Sequence, residues 1–488
     1  MEQQKFYITT AIDYVNGPPH IGHAIQKVWA DVIARYHRAK GERVWFLTGT
    51  DEHGVNIVRT AKQISTTPQK LADENAAKFR KLREALNLSW DDFIRTSDRE
   101  RHWPGAVLLW QKLVAAGDIY KKQYRGLYCA GHEAFITQKD LIDGKCTLHG
   151  KDPEVIDEEN YFFRLSGYTD PIRAAIERNE LLVVPETRRN EILALIREGL
   201  EDVSFSRPAK DLSWGIPVPN DPEHTMYVWC DALTNYLSAI GYGRNDAWQQ
   251  WWPADMHVLG KDNLRFHAAI WPGMLLAAGL PLPKVVFVHG FVTVNGQKIS
   301  KTIGNIIDPF VLVDRYGTDP IRYYLVREIP THDDGDFNEQ KLIHRYNGEL
   351  ADGLGNLVAR VATLGEKVSP VQFDFAADIL PAVKQETAEV FKSYEQAFAE
   401  IRLNEALAVV WRLTGFTNRY LNEAKPWAVT DAGELAKIIV NAGYLVSTIV
   451  NLIEPFLPGT AARIRAQVNI EGSVLKIKRG EVLFPRLG

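Results

Sequence analysis

The strongest constraint on this chain is a strand–helix–strand pattern in its first fifty residues. Phe6 to Ile12 is an apolar run with strand character, and Arg43 to Thr48 is another, ending in Gly49-Thr50-Asp51-Glu52-His53-Gly54. Between them Ile25, Val28, Trp29, Val32, Ile33 and Tyr36 fall at intervals of 3, 1, 3, 1 and 3, which is one stripe of a helix that stops near Gly41. Two strands joined through a helix must lie parallel, and such sheets bind ligands beyond the carboxyl ends of their strands. The pattern returns at Met256-His257-Val258-Leu259-Gly260, a helix through Trp271 to Ala278, and a strand from Val285 to His289. An α/β fold with a split Rossmann-type sheet is expected, its halves covering residues 1–115 and 226–295. A charged, turn-rich connective insertion, 116–225, separates them.

At 488 residues the chain is too long for one ordinary core. After a connecting region at 296–345, residues 346–488 read as consecutive amphipathic helices at 345–366, 382–401, 404–424 and 433–454. Their short joints predict an antiparallel all-α bundle. A net charge of −4 rules out a surface coated in basic residues but leaves room for a local RNA-binding patch. Three cysteines do not suit a disulfide framework and fit a reducing cytoplasm. The N-terminus runs straight into a strand, with no signal peptide expected, and no apolar run approaches the ~20 residues that cross a bilayer. A cytoplasmic location without membrane contact is therefore expected.

Two short motifs carry chemistry. Pro19-His20-Ile21-Gly22-His23 sits where a strand gives way to a helix, and a helix N-terminus favours anions. Gly22 removes a side chain where a nucleotide must approach closely. Lys298-Ile299-Ser300-Lys301-Thr302 follows the hairpin signal Val294-Asn295-Gly296-Gln297 and offers the ammonium groups of Lys298 and Lys301. Either motif alone has a plain alternative, helix-capping histidines or solvated loop lysines. Together they suit a triphosphate whose charge shifts during reaction. Gly260, Asp262 and His267 follow the later strand and suit a ribose and adenosine, although Asp262 serves equally as a helix cap. Cys129-Ala130-Gly131-His132 and Cys146-Thr147-Leu148-His149 repeat a C-x-x-H spacing that fits a tetrahedral zinc knuckle. The alternative is two buried thiols beside incidental histidines, and Cys230 is read as core.

The two motifs resemble the signature pair of class I aminoacyl-tRNA synthetases, with Ile299 and Thr302 as departures in the second. Thr10 through Pro19, Phe46 through Gly54, Tyr227 through Tyr236 and Phe287-Val288-His289-Gly290 narrow the resemblance to the methionyl-tRNA synthetase family, along essentially the whole chain. The resemblance implies a methionine pocket of Ile12, Tyr14, Trp229, Ala232, Leu233, Tyr236 and His289, with Asp51 taking the α-ammonium. Aromatic faces suit a polarizable thioether. It also implies ATP with Mg²⁺, a methionyl-adenylate intermediate, and transfer to tRNA(Met), initiator tRNA included. His20, His23, Lys298 and Lys301 would stabilise the reacting phosphates. Asn356 and Arg360, four residues apart on a helix face, would read the CAU anticodon with Trp427. His132 and His149 depart from the family's usual cysteines, His132 being the less usual. The chain ends soon after the bundle, so a monomer without a further C-terminal RNA-binding domain is expected. A synthetase for Leu, Ile or Val would carry a larger editing insertion than roughly 110 residues. An inactive tRNA-binding relative would not need both histidines and both lysines.

Overall fold

The computed structural model describes residues 3–129, 134–136, 141–147, 150–299 and 304–488. Two compact units emerge: Met1–Pro19, Lys40–Arg83 and Ser89–His289 form one, and His20–Ala39, Glu84–Leu88 and Gly290–Gly488 the other.

The first unit is built on a seven-stranded sheet: β1 (Lys5–Thr10), β2 (Asp13–Tyr14), β3 (Arg43–Asp51), β4 (Asp92–Arg95), β5 (Leu182–Val184), β6 (Met256–Gly260) and β7 (Val285–His289). The order is β5-β7-β6-β1-β3-β2, with β4 also on β3, and every pairing is parallel. The two halves read from the sequence meet at β1 and β6, where Ile8 pairs with Met256 and Thr10 with Val258. Strands covered on both faces need continuous apolar runs. The polar exceptions at the centre are paired: Thr10 with Thr48, and Thr9 with the His257 Nδ1, each at 2.7 Å.

Residues 116–225 contribute strands to more than one sheet. Ile119–Cys129 and Glu154–Phe163 make a long antiparallel pair, but Leu182–Val184 joins the main sheet as β5, Leu182 lying opposite Val285. Three apolar residues are too few to show a strand period in a charged stretch.

In the second unit the helices Pro381–Ala399, Leu403–Ala424 and Ala432–Ile453 form the expected bundle. The segment expected as one helix over 345–366 is instead α-helix Glu339–Arg345, π-helix Tyr346–Gly355 and α-helix Asn356–Gly365. A single apolar stripe does not distinguish these windings. Contrary to the sequence expectation, Ala432–Ile453 is long and apolar enough to cross a membrane, but 67% of its apolar window is buried inside the protein. It is the central helix of the bundle, and its last sixteen residues carry no charge because they face core on most sides. A hairpin not anticipated from the sequence, Val468–Glu471 and Val474–Ile477, closes against it. Gly443 permits the approach, since a Cβ there would lie 2.6 Å from the Leu475 side chain.

The helix Ile21–Ala39 belongs to this second unit. Arg322, fully buried, pairs with its Asp31 at 2.8 Å and donates to the carbonyls of Phe456, Pro455 and Leu86 at 2.7, 3.0 and 3.0 Å. A buried guanidinium is tolerated only with partners of this kind. Further along the helix, Tyr36 stacks on Phe398 at 3.9 Å and its hydroxyl donates to Glu395 at 2.6 Å.

Candidate functional site

In the second unit the histidine motif is organised by its own backbone. The Gly22 N–H donates to His20 Nδ1 and the His20 N–H donates to His23 Nδ1, both at 3.1 Å. Each ring therefore carries its proton on Nε2, and the two rings stack at 3.8 Å. Part of His23 meets solvent, yet desolvation of its enclosed portion, with the Lys27 charge adding, lowers its pKa to about 3. Both imidazoles thus present N–H donors suited to an anion. Gly22 has His20 Cε1 3.0 Å from where a Cβ would sit and Ile299 Cδ1 at 4.0 Å, so the two motifs meet. Asn295 and Gly296, with φ of 52° and 76°, make the turn between Val292–Val294 and Gln297–Lys298. Such paired positive φ values are what an Asn-Gly hairpin supplies. Lys298 is exposed, and its carbonyl accepts from Asn305 at 3.0 Å. Lys301 lies outside the described residues.

In the first unit the strand ends gather the residues expected to hold an amino acid. Register places Tyr14 beside Asp51, on β2 and β3. Asp51 is 5% exposed, while Ile12 and Tyr14 are half-buried. The short helix Val228–Leu233 carries Trp229, Ala232 and Leu233, and Tyr236 follows it, 1% exposed. Trp229 stacks on Phe266 at 3.6 Å with the rings nearly parallel. A cavity of about 870 Å³ opens beside this pair, its walls including Tyr120, Phe162, Tyr227 and Asp262. Cys230 is buried in the main core, as read from sequence.

Two of the candidate histidines have partners that the sequence does not show. His267 accepts from the Tyr236 hydroxyl through Nε2 at 2.6 Å and donates from Nδ1 to the Asn263 carbonyl at 3.0 Å. It therefore joins the aromatic group. His289 ends β7 opposite Gly260, where a Cβ would lie 2.8 Å from the Asp262 carboxylate and 3.5 Å from His289 Cε1. It joins Gly260 and Asp262. Neither partnership is visible along the chain, because the partners stand 31 and 29 positions away in sequence.

Burial lowers the pKa of His267 to about 4, and lowers that of His257 as well. Both titrate near 6.5 when unfolded, so on acidification the unfolded chain takes up protons first and stability falls as pH drops through the interval from 6.5 to about 4. Thermal melts across that interval should show a falling midpoint, and His267→Gln should flatten the slope. An unchanged slope in the variant would remove His267 as a contributor.

On the helical unit, Arg360 lies 5.4 Å over the ring of Trp427 and donates to Asn418 and Asn422 at 3.3 and 2.8 Å. Trp427 is 55% exposed, carried outward by a left-handed Lys425 and Pro426. Asn356 is exposed one turn before Arg360, on a helix whose Leu357, Val358 and Val361 are buried. An exposed indole beside an array of donors and acceptors suits unpaired bases.

Cys129 and Cys146 are buried in one small cluster with Ile136. His132 and His149 lie outside the described residues, and among the described residues no group of three or more His, Cys, Asp or Glu side chains is arranged to hold a metal ion.

Known proteins match the chain in both sequence and fold. The family model described as "tRNA synthetases class I (M)" matches residues 6–139 and 134–362, and that of the "Anticodon binding domain of methionyl tRNA ligase" matches 377–481. A methionine–tRNA ligase of Brucella melitensis is 42% identical over 95% of this chain and 92% of its own length. One from Thermotoga maritima is 43% identical over 96% and 76%. The structure of Mycobacterium tuberculosis methionyl-tRNA synthetase in complex with methionyl-adenylate superposes with a TM-score of 0.93 at 36% identity, covering 99% of this chain and 100% of that one. Matched along nearly its whole length in both sequence and fold, the chain belongs to the class I methionyl-tRNA synthetase family.

Proposed function

We propose that the chain activates methionine with ATP and transfers it to tRNA(Met), with the roles divided as follows. Asp51 takes the α-ammonium through a charge-assisted hydrogen bond, beside Tyr14. Ile12, Trp229, Ala232, Leu233 and Tyr236 surround the thioether, with His267 fixing the Tyr236 hydroxyl. Gly260, Asp262 and His289 lie where a nucleoside suits the strand ends. A methionine carboxylate oxygen attacks the α-phosphorus of Mg²⁺-bound ATP. The bond to the bridging oxygen breaks and pyrophosphate leaves. His20 and His23 donate from Nε2 to the charge that develops, and Lys298 and Lys301 neutralise the leaving group. The 2′-hydroxyl of the terminal adenosine then attacks the methionyl carbonyl, losing its proton as AMP departs. No nucleophilic side chain is needed, since positioning and charge stabilisation supply the catalysis.

The registered pair of Tyr14 and Asp51 supports the amino-acid site most directly. Asp51→Asn should weaken methionine binding about tenfold or more, in line with the ~1.5–3 kcal/mol of a hydrogen bond to a charged group. Calorimetry giving wild-type methionine affinity would overturn the assignment.

Asn356, Arg360 and Trp427 read the CAU anticodon in this scheme, which initiator and elongator tRNA(Met) share. An odd count of three cysteines, which does not suit a disulfide framework, supports a cytoplasmic location. A single chain carries every residue named, the basis for reading it as a monomer. The buried pair Cys129 and Cys146 fits half of a structural zinc site, with His132 and His149 as the other half. One zinc per chain is expected by elemental analysis after a chelator wash, and its absence with activity retained would rule the metal out.

A further inference from the structure

The Asp51 and Trp229 segments are tied by a buried polar cluster that the chemistry above does not use. Asp231, fully buried, follows Trp229 by two residues and directly precedes Ala232. Its Oδ2 accepts from His53 Nδ1 at 2.5 Å and its Oδ1 from His102 Nε2 at 2.6 Å. His102 Nδ1 meets the Ser238 hydroxyl at 2.8 Å. His53 in turn follows Asp51 by two residues, with its ring edge-on to Trp214 at 5.4 Å. The intervening Glu52 is fixed as well: Arg95 grips both its oxygens at 2.6 and 2.8 Å, and its N–H donates to Thr96 at 2.9 Å. Burial opposes ionisation of Asp231, but the two imidazoles outweigh it and hold the carboxyl below the usual range.

A buried charge with this many partners is poor value as a stabiliser, because apolar side chains of the same volume do as well or better. What such a cluster supplies is a single geometry. We propose that Asp231 is a positioning residue for amino-acid binding, its carboxylate locking the helical turn of Trp229, Ala232 and Leu233 to the strand end of Asp51 through His53 and His102. This rests on the methionine pocket assigned above. Displacing a binding group by ~1 Å costs up to ~10²-fold, so the lock governs affinity for methionine without touching it.

The test uses steady-state kinetics of the full chain, varying methionine and ATP separately. Asp231→Asn should raise the methionine KM about tenfold or more while the ATP KM stays within about twofold. The histidines give a sharper test, because an Asn amide nitrogen falls near the place of Nδ1 and a Gln amide nitrogen near that of Nε2. His53→Asn and His102→Gln should therefore keep the methionine KM within about threefold of wild type. His53→Gln and His102→Asn, with the donors misplaced, should raise it like Asp231→Asn. A role in folding alone would not separate matched from mismatched amides, so equal behaviour of the two sets overturns the proposal even if Asp231→Asn fails to fold. A wild-type methionine KM in Asp231→Asn, with Asp51→Asn still impaired, overturns the lock and leaves the pocket standing. A wild-type methionine KM in Asp51→Asn overturns the pocket assignment itself.

Discussion

His23→Ala should slow methionine-dependent exchange of pyrophosphate into ATP by roughly 10²–10³-fold, the usual cost of losing one donor to a developing oxyanion. The donor is Nε2–H, because the His20 N–H occupies Nδ1 at 3.1 Å. His23 is neutral at physiological pH, so the loss is that of a directed hydrogen bond and not of a fixed positive charge. Methionine binding, measured separately, should stay close to wild type. Lys301→Ala should reduce exchange to a similar degree. Exchange within about threefold of wild type in His23→Ala would remove that residue from the reacting phosphates.

Trp427→Ala should lower the rate of tRNA charging about tenfold to a hundredfold, since stacking of one base on an aromatic ring contributes ~1–3 kcal/mol. Pyrophosphate exchange without tRNA should be untouched. The indole is 55% exposed and lies under the Arg360 guanidinium, so its removal takes away a platform and little core. Equal loss in both assays would show damage to the fold and dismiss Trp427 as a base reader.

The parts of the fold legible in the sequence were those with a strong local period or turn code. Ile25, Val28, Trp29, Val32 and Ile33 are all buried along one helix, and the Asn295-Gly296 turn has the positive φ angles its residues favour. The family was legible for the same reason, because each of its motifs is contiguous. Contacts made across the chain were not. Asp231 stands 178 and 129 positions from the two histidines it joins, and no spacing rule spans such distances. The neighbours of His267 and His289 likewise follow from a long-range hydrogen bond and a strand register that only the folded chain defines. β5 was invisible because three residues carry no period; the helix Ala432–Ile453 was legible as a helix, but not that its apolar window would be long enough to cross a membrane, because its burial is tertiary.

The helix Ile21–Ala39 has a consequence for grafting. By sequence it is the crossover between β1 and β3, yet it is cut from the bundle's cloth: Asp31 answers Arg322, and Tyr36 answers Phe398 and Glu395. One chain boundary of the two units therefore falls between Pro19 and His20, inside what looks like a single nucleotide-binding element. A fragment ended at residue 345 would strip Tyr36 of its stacking partner and Arg322 of the Pro455 and Phe456 carbonyls. A chimera that borrows its anticodon bundle from a relative must therefore borrow the matching face of this helix too, and with it the element that begins at His20.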